Sequence, residues 1–278
     1  MNRTANPQPT LAFIGAGNMG GAILRGLIRQ SYPATAILAT GRDLERLHTL
    51  AAETGIRVTN NNIEAIEQAD VVILGVKPQM MKAVCEPLVE VVQRRQPLLI
   101  SIAAGLQVES LESWLGGNLP LVRSMPNTPS LVGAGIAGLY ANKRVTAEHK
   151  SWVETISQAV GQAVWVDTEQ QLDAVTAISG SGPAYYFLFT EALAQAGEQL
   201  GLTPELALQL ARQTAAGAGR MLETADDSPA ELRRKVTSPG GTTEQAILSF
   251  EQNDLRGLAT KATAAAAARA AELAETLI

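Results

Sequence analysis

Cysteine, histidine and aromatic residues are scarce in this chain of 278 residues. The single cysteine, Cys85, excludes an intrachain disulfide framework. The two histidines, His48 and His149, stand in polar helical contexts that read as solvated surface, so neither a histidine-based catalytic group nor a metal site is expected. No run is long and apolar enough to span a bilayer, and the polar start MNRTANPQPT lacks the apolar core of a secretion signal. A cytoplasmic protein with no membrane partner is therefore the expectation. The net charge of -5 leaves no basic footprint for nucleic acid or an anionic lipid surface. Any anionic ligand must be held by local geometry rather than by bulk attraction.

What is present is ordinary globular composition, 46% hydrophobic and 18% charged, over a length sufficient for two domains. Up to about residue 168, short β-branched runs alternate with amphipathic helical segments, the pattern of a doubly wound parallel α/β sheet. Strands are expected at Leu11 to Ile14, 35 to 40, Ile56 to Thr59, Val71 to Val76, Leu98 to Ile102, Leu121 to Arg123, Gly135 to Tyr140 and the run AVWV. From 169 to 278 the strands vanish. Three long alanine-rich segments, at 181–201, 203–223 and 255–277, read as helices of a second, all-α domain. Their small apolar surface exceeds what one subunit would hide, so at least a homodimer through this domain is expected.

The first chemical signal is GAGNMG, Gly15 to Gly20, which follows a strand and opens a helix. In that context G-x-G-x-x-G is the fingerprint of a Rossmann dinucleotide site. Gly15 permits the tight turn, Gly17 lets a pyrophosphate approach the backbone, and Gly20 allows close packing of helix on strand. At the tip of the second strand an NAD-preferring site would carry an acid, but this chain has Ala39, Thr40, Gly41 and Arg42. Thr40 as a donor and Arg42 as a cation favour the extra phosphate of NADP(H). Three further loops fall where open α/β sheets bind ligands. They are Val76, Lys77, Pro78 and Gln79; then Ala103, Ala104 and Gly105; then MPNTP, whose two prolines stiffen a turn around Asn127.

A second signal is KVTSPGGTTEQAI, residues 235 to 247, which interrupts helical sequence. Ser238 followed by Pro239 fits a helix N-cap with a first-turn proline, and Thr242 with Gln245 fits a capping box. Adjacent Gly240 and Gly241 point instead to close approach of an anion to the backbone. Spacing alone leaves both readings open.

GAGNMG, VKPQ, SIAAG, VRSMPNTP, DAVTAISGSGPAYYF and LRRKVTSPGGTTEQAI occur in an order and spacing that resembles the pyrroline-5-carboxylate reductase family, from Leu11 to the last helix. The resemblance implies reduction of the small cyclic imine to L-proline, the last step of proline biosynthesis. It implies NADPH as reductant, with NADH also usable, and a Rossmann domain joined to a helical dimerisation domain. A homodimer follows from it, with a higher homo-oligomer such as a decamer allowed.

Carried onto this sequence, it places Ile14, Gly15, Ala16, Gly17, Asn18 and Met19 along the pyrophosphate and Asn62 at the adenosine ribose. The loops at Val76, Lys77, Pro78 and at Ala103, Ala104, Gly105 run toward the nicotinamide. Glu169 and Lys235 match positions near the active site. The substrate carboxylate belongs on the turn from Ser238 through Gly240, Gly241 and Thr242 to Thr243, and the Thr243 hydroxyl is the candidate group at the imine nitrogen. A β-hydroxyacid or 6-phosphogluconate type of dehydrogenase is the alternative. That chemistry wants a lysine on the helical domain, and none occurs between Ser151 and Arg234.

Overall fold

The computed structural model describes residues 8–276. Most of the polar opening stretch, on which the expectation of an unsecreted chain partly rests, lies outside them. Two compact units emerge. One takes in the chain as far as Gly180 and the end of the last helix from Ala266, and the other is Ser181–Ala265.

The first unit is built on eight strands: β1 (Leu11–Ile14), β2 (Ile37–Thr40), β3 (Arg57–Thr59), β4 (Val71–Leu74), β5 (Leu98–Ser101), β6 (Leu121–Met125), β7 (Gly135–Ala141) and β8 (Gly161–Trp165). They form one sheet in the order β3-β2-β1-β4-β5-β6-β7-β8. Every pairing is parallel except β6 with β7. Chain order reverses at β1, which pairs Leu11 with Ile37 on one side and with Val71 on the other. In a doubly wound sheet such a reversal opens a crevice at the carboxyl ends of the strands.

β1, β2, β4 and β5 are buried along their whole length, so they appear in sequence as unbroken apolar runs rather than alternating ones. Alternate residues still serve opposite faces. Leu11, Phe13 and Ile73 join Ile23, Leu24 and Leu27 of helix α1 (Asn18–Arg29) in one core layer. Ala12, Ile14, Val72 and Leu74 join Met81, Val91 and Leu111 in the other. These last three come from α4 (Pro78–Cys85), α5 (Val89–Arg95) and α6 (Val108–Trp114).

Between β2 and β4 lie α2 (Leu44–Thr54) and α3 (Asn62–Glu67), and α7 (Ala147–Gln158) precedes β8. Cys85 is buried, and burial pushes its thiol up to about 12, which leaves it unreactive. His149 helps start α7: its backbone N–H donates to the Thr146 hydroxyl while its Nδ1 accepts from the Thr146 N–H.

Strand β4 stops at Leu74, two residues before the apolar run ends. The cause is packing. A Cβ at Gly75 would stand 2.6 Å from the Gly15 carbonyl oxygen, so the loops after β1 and β4 cross in contact. β6 runs two residues longer than the expected end at Arg123 because Ser124 and Met125 pair with Leu139 and Gly138 of β7.

After β8 come α8 (Gln171–Val175) and a π-helical turn, Thr176–Gly180, both in the first unit. The second unit is helical: α9 (Gly182–Gln199), α10 (Pro204–Thr224), α11 (Pro229–Lys235), α12 (Thr242–Gln252) and the first half of α13 (Leu255–Thr276). Thr203 caps α10 by accepting from the Leu206 N–H, with Pro204 at the first helical position. α9 and α10 approach closely because small residues meet; a Cβ at Gly197 would stand 3.1 Å from that of Ala207. Few apolar side chains of this unit are covered within the chain. Tyr186 is 70% exposed, Phe187 69% and Leu200 86%.

Candidate active site

The expected cofactor residues of the first unit collect at the carboxyl ends of the parallel strands. Gly15 and Ala16, just past β1, both donate their N–H groups to the Thr40 carbonyl at 3.2 Å, which folds the loop tightly against β2. Gly15 has φ +92°, and a Cβ there would meet Val76 Cγ1 at 2.8 Å. Both the turn and the packing therefore demand glycine. Gly17 differs. A Cβ at Gly17 would meet nothing closer than Gly75 O at 4.0 Å, so the protein's own packing leaves that face of the loop open.

Gly17 is also the N-cap of α1, with no side chain capping it and no acid in the first turn. An uncapped helix start behind an open glycine loop suits the pyrophosphate of a dinucleotide. Asn18 and Met19 begin that helix. Lys77 is the N-cap of α4, Pro78 its first residue, and the Ala103–Ala104–Gly105 segment follows β5 with Gly105 at φ +77°. On these observations the residues present fit a nicotinamide dinucleotide.

Two of the expected contacts are turned elsewhere. Thr40 is 1% exposed, and its hydroxyl donates to Asn62 Oδ1 at 2.6 Å, with the Phe13 carbonyl the alternative acceptor at 3.3 Å. Because β2 lies between β1 and β3, this hydroxyl is committed within the sheet rather than offered to a phosphate. It orients Asn62, the first residue of α3, and leaves the Asn62 NH2 without a partner among the described residues. Asn127 is likewise buried. Its NH2 donates to the Ser179 carbonyl at 3.0 Å and its Oδ1 accepts from the Ile136 N–H at 2.9 Å, so the amide serves the protein rather than a cofactor.

Arg42 is exposed just past β2, as the strand-tip reading expected. A second guanidinium, missed in the sequence, joins that region: Arg46 Nη2 donates to Asn18 Oδ1 at 3.0 Å. Its signal was its place in the first turn of α2, directly after the β2 tip that carries Arg42.

Glu169 does not stand free for a substrate. Its Oε1 accepts from Arg123 at 2.6 Å and from the Val108 N–H at 2.7 Å. Arg123, on β6, is 8% exposed, so this pair locks the segment before α8 to the sheet. The nearby Asp173 has its carboxyl raised, chiefly by desolvation and further by Glu169, with Arg123 opposing.

In the second unit the helix that ends KVTSPGGTTEQAI starts at Thr242 with Gly241 as N-cap, and no side chain caps it. Ser238 is therefore not its N-cap, and the box between Thr242 and Gln245 does not form. Instead the Ser238 carbonyl accepts from the Gly241 N–H at 3.0 Å, closing a turn in which Gly240 sits at φ +72°. Gly240 donates its N–H to Glu244 at 2.7 Å. Two of the four amides expected to hold an anion are thus engaged inside the turn. Those of Thr242 and Thr243 remain, with the Thr243 hydroxyl in the same first turn. Nothing stands within 4 Å of where a Gly240 Cβ would be. Lys235 pairs with Asp227 on an exposed surface. No cluster of three potential metal ligands occurs among the described residues.

Comparison with known proteins joins these pieces. Residues 169–273 match the family model described as pyrroline-5-carboxylate reductase dimerisation, and residues 10–105 match one described as NADP oxidoreductase, coenzyme F420-dependent. A pyrroline-5-carboxylate reductase of Pseudomonas aeruginosa is 51% identical over 269 residues, covering 97% of this chain and 98% of that protein. The solved structure of the reductase from Coxiella burnetii superposes with a TM-score of 0.93 at 46% identity, covering 96% of this chain and 98% of that one. The Plasmodium falciparum pyrroline carboxylate reductase, solved with NADP bound, superposes with a TM-score of 0.80 at 31% identity over 96% of this chain and 98% of its own. The glycine loop at the sheet's reversal point and the uncapped SPGGTT turn therefore sit in a chain that matches such reductases from end to end, and the protein belongs to the pyrroline-5-carboxylate reductase family.

Proposed function

We propose that this chain reduces 1-pyrroline-5-carboxylate to L-proline with NADPH, the glycine loop of the first unit holding the cofactor and the turn at 238–243 holding the substrate. The observation that carries the substrate assignment is the uncapped start of α12, where no side chain caps the Thr242 and Thr243 amides and the one first-turn acid, Glu244, is taken up by the Gly240 N–H. A carboxylate meets N–H donors and the positive end of a helix dipole there, which an acidic protein could not offer through net charge. The relatives named above carry the same activity in their names, and the family model spans the turn.

The bound nicotinamide supplies a hydride. Proximity does most of the remaining work, since donor and acceptor carbons must be held about 3 to 3.5 Å apart. The chain's task is to anchor the acid and orient the ring. Hydride adds to the imine carbon, the C=N π pair passes to nitrogen, and the nitrogen ends protonated. The Thr243 hydroxyl hydrogen-bonds that nitrogen, and the proton arrives on the iminium or from water. No histidine is needed; His48 and His149 stand on α2 and α7, and neither belongs to any of the site motifs. NADPH oxidation with the cyclic imine as sole acceptor tests the reading; turnover with a 2-hydroxy or 3-hydroxy acid and NADP instead would sink it.

NADPH is preferred over NADH because Arg42 stands at the β2 tip where an NAD site carries an acid, and Arg46 adds a second positive group. Arg42→Ala raises KM for NADPH about tenfold, roughly 1.4 kcal/mol, and leaves that for NADH nearly unchanged. Equal losses with both cofactors would show that Arg42 acts only on folding.

The protein works as a homodimer or a larger homo-oligomer through the helical unit. Tyr186, Phe187 and Leu200 cannot be covered by their own helices and would be exposed apolar surface in a monomer. A second copy presenting the same small-residue helices covers them. Sedimentation at micromolar concentration gives a dimer or a multiple of one; a stable monomer there would remove the proposal.

A further inference from the structure

Glu169, expected at the substrate, commits its carboxylate to two groups of its own unit. Its Oε1 accepts from Arg123 Nη1 at 2.6 Å and from the Val108 N–H at 2.7 Å. All three residues lie in the first unit, so the arrangement is complete there. Val108 is the first residue of α6, and the N-cap before it, Gln107, supplies no side-chain cap. The acceptor for that amide comes instead from 61 residues further along the chain.

Between β5 and α6 runs the segment 102–107, which carries Ala103, Ala104 and Gly105. Its near end is fixed by the sheet, where the Ile102 N–H donates to the Leu74 carbonyl at 3.1 Å. Its far end is fixed by Glu169. A Cβ at Gly75 would stand 2.6 Å from the Gly15 carbonyl oxygen and 3.4 Å from Ile102 Cδ1, so the loops after β1, β4 and β5 touch in that order. Arg123, which holds Glu169, is 8% exposed and lies beside Ser101 of β5. A buried ion pair adds little stability over apolar residues of equal volume, because desolvation offsets the attraction. What this pair does fix is the place of one oxygen.

From this geometry we infer that Glu169, held by Arg123, is a positioning residue for the nicotinamide half of the cofactor, acting through the 103–105 loop rather than by contact. This rests on the reductase reading above. There the pyrophosphate lies on the β1 loop and the adenosine toward β2, which lays the nicotinamide over the β4 and β5 loops.

The test compares binding of NADPH with that of phospho-ADP-ribose, the same molecule without its nicotinamide. Val108→Pro removes the N–H that Glu169 receives and leaves the ion pair intact. Proline suits a first helical position, and Gln107, at φ -76° and ψ 154°, has the extended conformation that a following proline requires. In this variant the Kd for NADPH rises about fivefold while that for phospho-ADP-ribose stays within about twofold of wild type. Glu169→Ala gives the same split and carries the test alone if Val108→Pro does not fold. Glu169→Gln keeps an Oε1 acceptor and holds NADPH affinity within about twofold of wild type. Wild-type NADPH affinity in the folded Val108→Pro or Glu169→Ala variant would overturn the inference. So would equal losses for both ligands, the mark of a general disturbance of the unit. Wild-type enzyme that fails to oxidise NADPH with the imine would sink the reductase reading itself, a result seen without any variant.

Discussion

Gly241→Val abolishes measurable saturation with the imine while NADPH still binds with its normal affinity. Gly241 has φ -84° and ψ 170°, an extended conformation that a β-branched residue adopts without strain. The substitution therefore does not act through a forbidden backbone; the left-handed residue of the pair is Gly240, at φ +72°. A new Cβ would stand 3.0 Å from the Ser238 carbonyl, a contact relieved by a shift of a few tenths of an ångström. What cannot be relieved is the bulk of a branched side chain at the N-cap of α12, beside the Thr242 and Thr243 amides proposed to receive the carboxylate. NADPH binding depends on the glycine loop of the other unit and is untouched. Equilibrium titration with NADPH alongside imine saturation kinetics checks this. Normal imine kinetics in the folded variant would move the carboxylate site away from the turn.

Thr243→Ala lowers kcat by about tenfold to a thousandfold, the range for one hydrogen bond realised in the transition state. The backbone donors of Thr242 and Thr243 survive the change, so carboxylate binding persists and L-proline still inhibits as product. If the stretch served only to start a helix, the outcome would be different. Removing a hydroxyl that caps nothing, in a helix whose N-cap is Gly241, would leave both stability and kinetics unchanged. Steady-state kinetics with proline inhibition separates these outcomes. Wild-type turnover would pass the role at the imine nitrogen to the Ser238 hydroxyl or to a water.

Local chemistry made much of this molecule readable. The buried strands of a parallel sheet are continuous apolar runs, and a glycine loop between a strand and a helix has few other uses, so β1, β2, β4 and β5 and the dinucleotide loop could be placed from residue order alone. The long helices announced themselves through alanine content, and the last of them also through the absence of proline and glycine after Gly257. Strand ends were less legible, because β4 ends where Gly75 meets the Gly15 loop, a contact between segments 60 residues apart in sequence.

Side-chain direction was the part that residue order could not convey. Thr40, Asn127 and Glu169 all fall in loops or strand ends that border the site, and each carries a group able to bind a ligand. In the folded chain, however, Thr40 bonds Asn62, Asn127 bonds Ser179 and Ile136, and Glu169 bonds Arg123 and the Val108 N–H. A buried polar group must find a partner, and which partner comes within 3 Å depends on how distant segments pack. The same holds for the SPGGTT turn, where the Gly240 and Gly241 amides are satisfied internally and no side chain caps those of Thr242 and Thr243. By itself the sequence determined the fold class, with its sheet domain followed by a helical one, and the family, because periodicity, glycine placement and residue type are local properties. Only the tertiary structure decided which polar groups hold the protein together and which remain for ligands, because that choice is made by contacts between residues far apart along the chain.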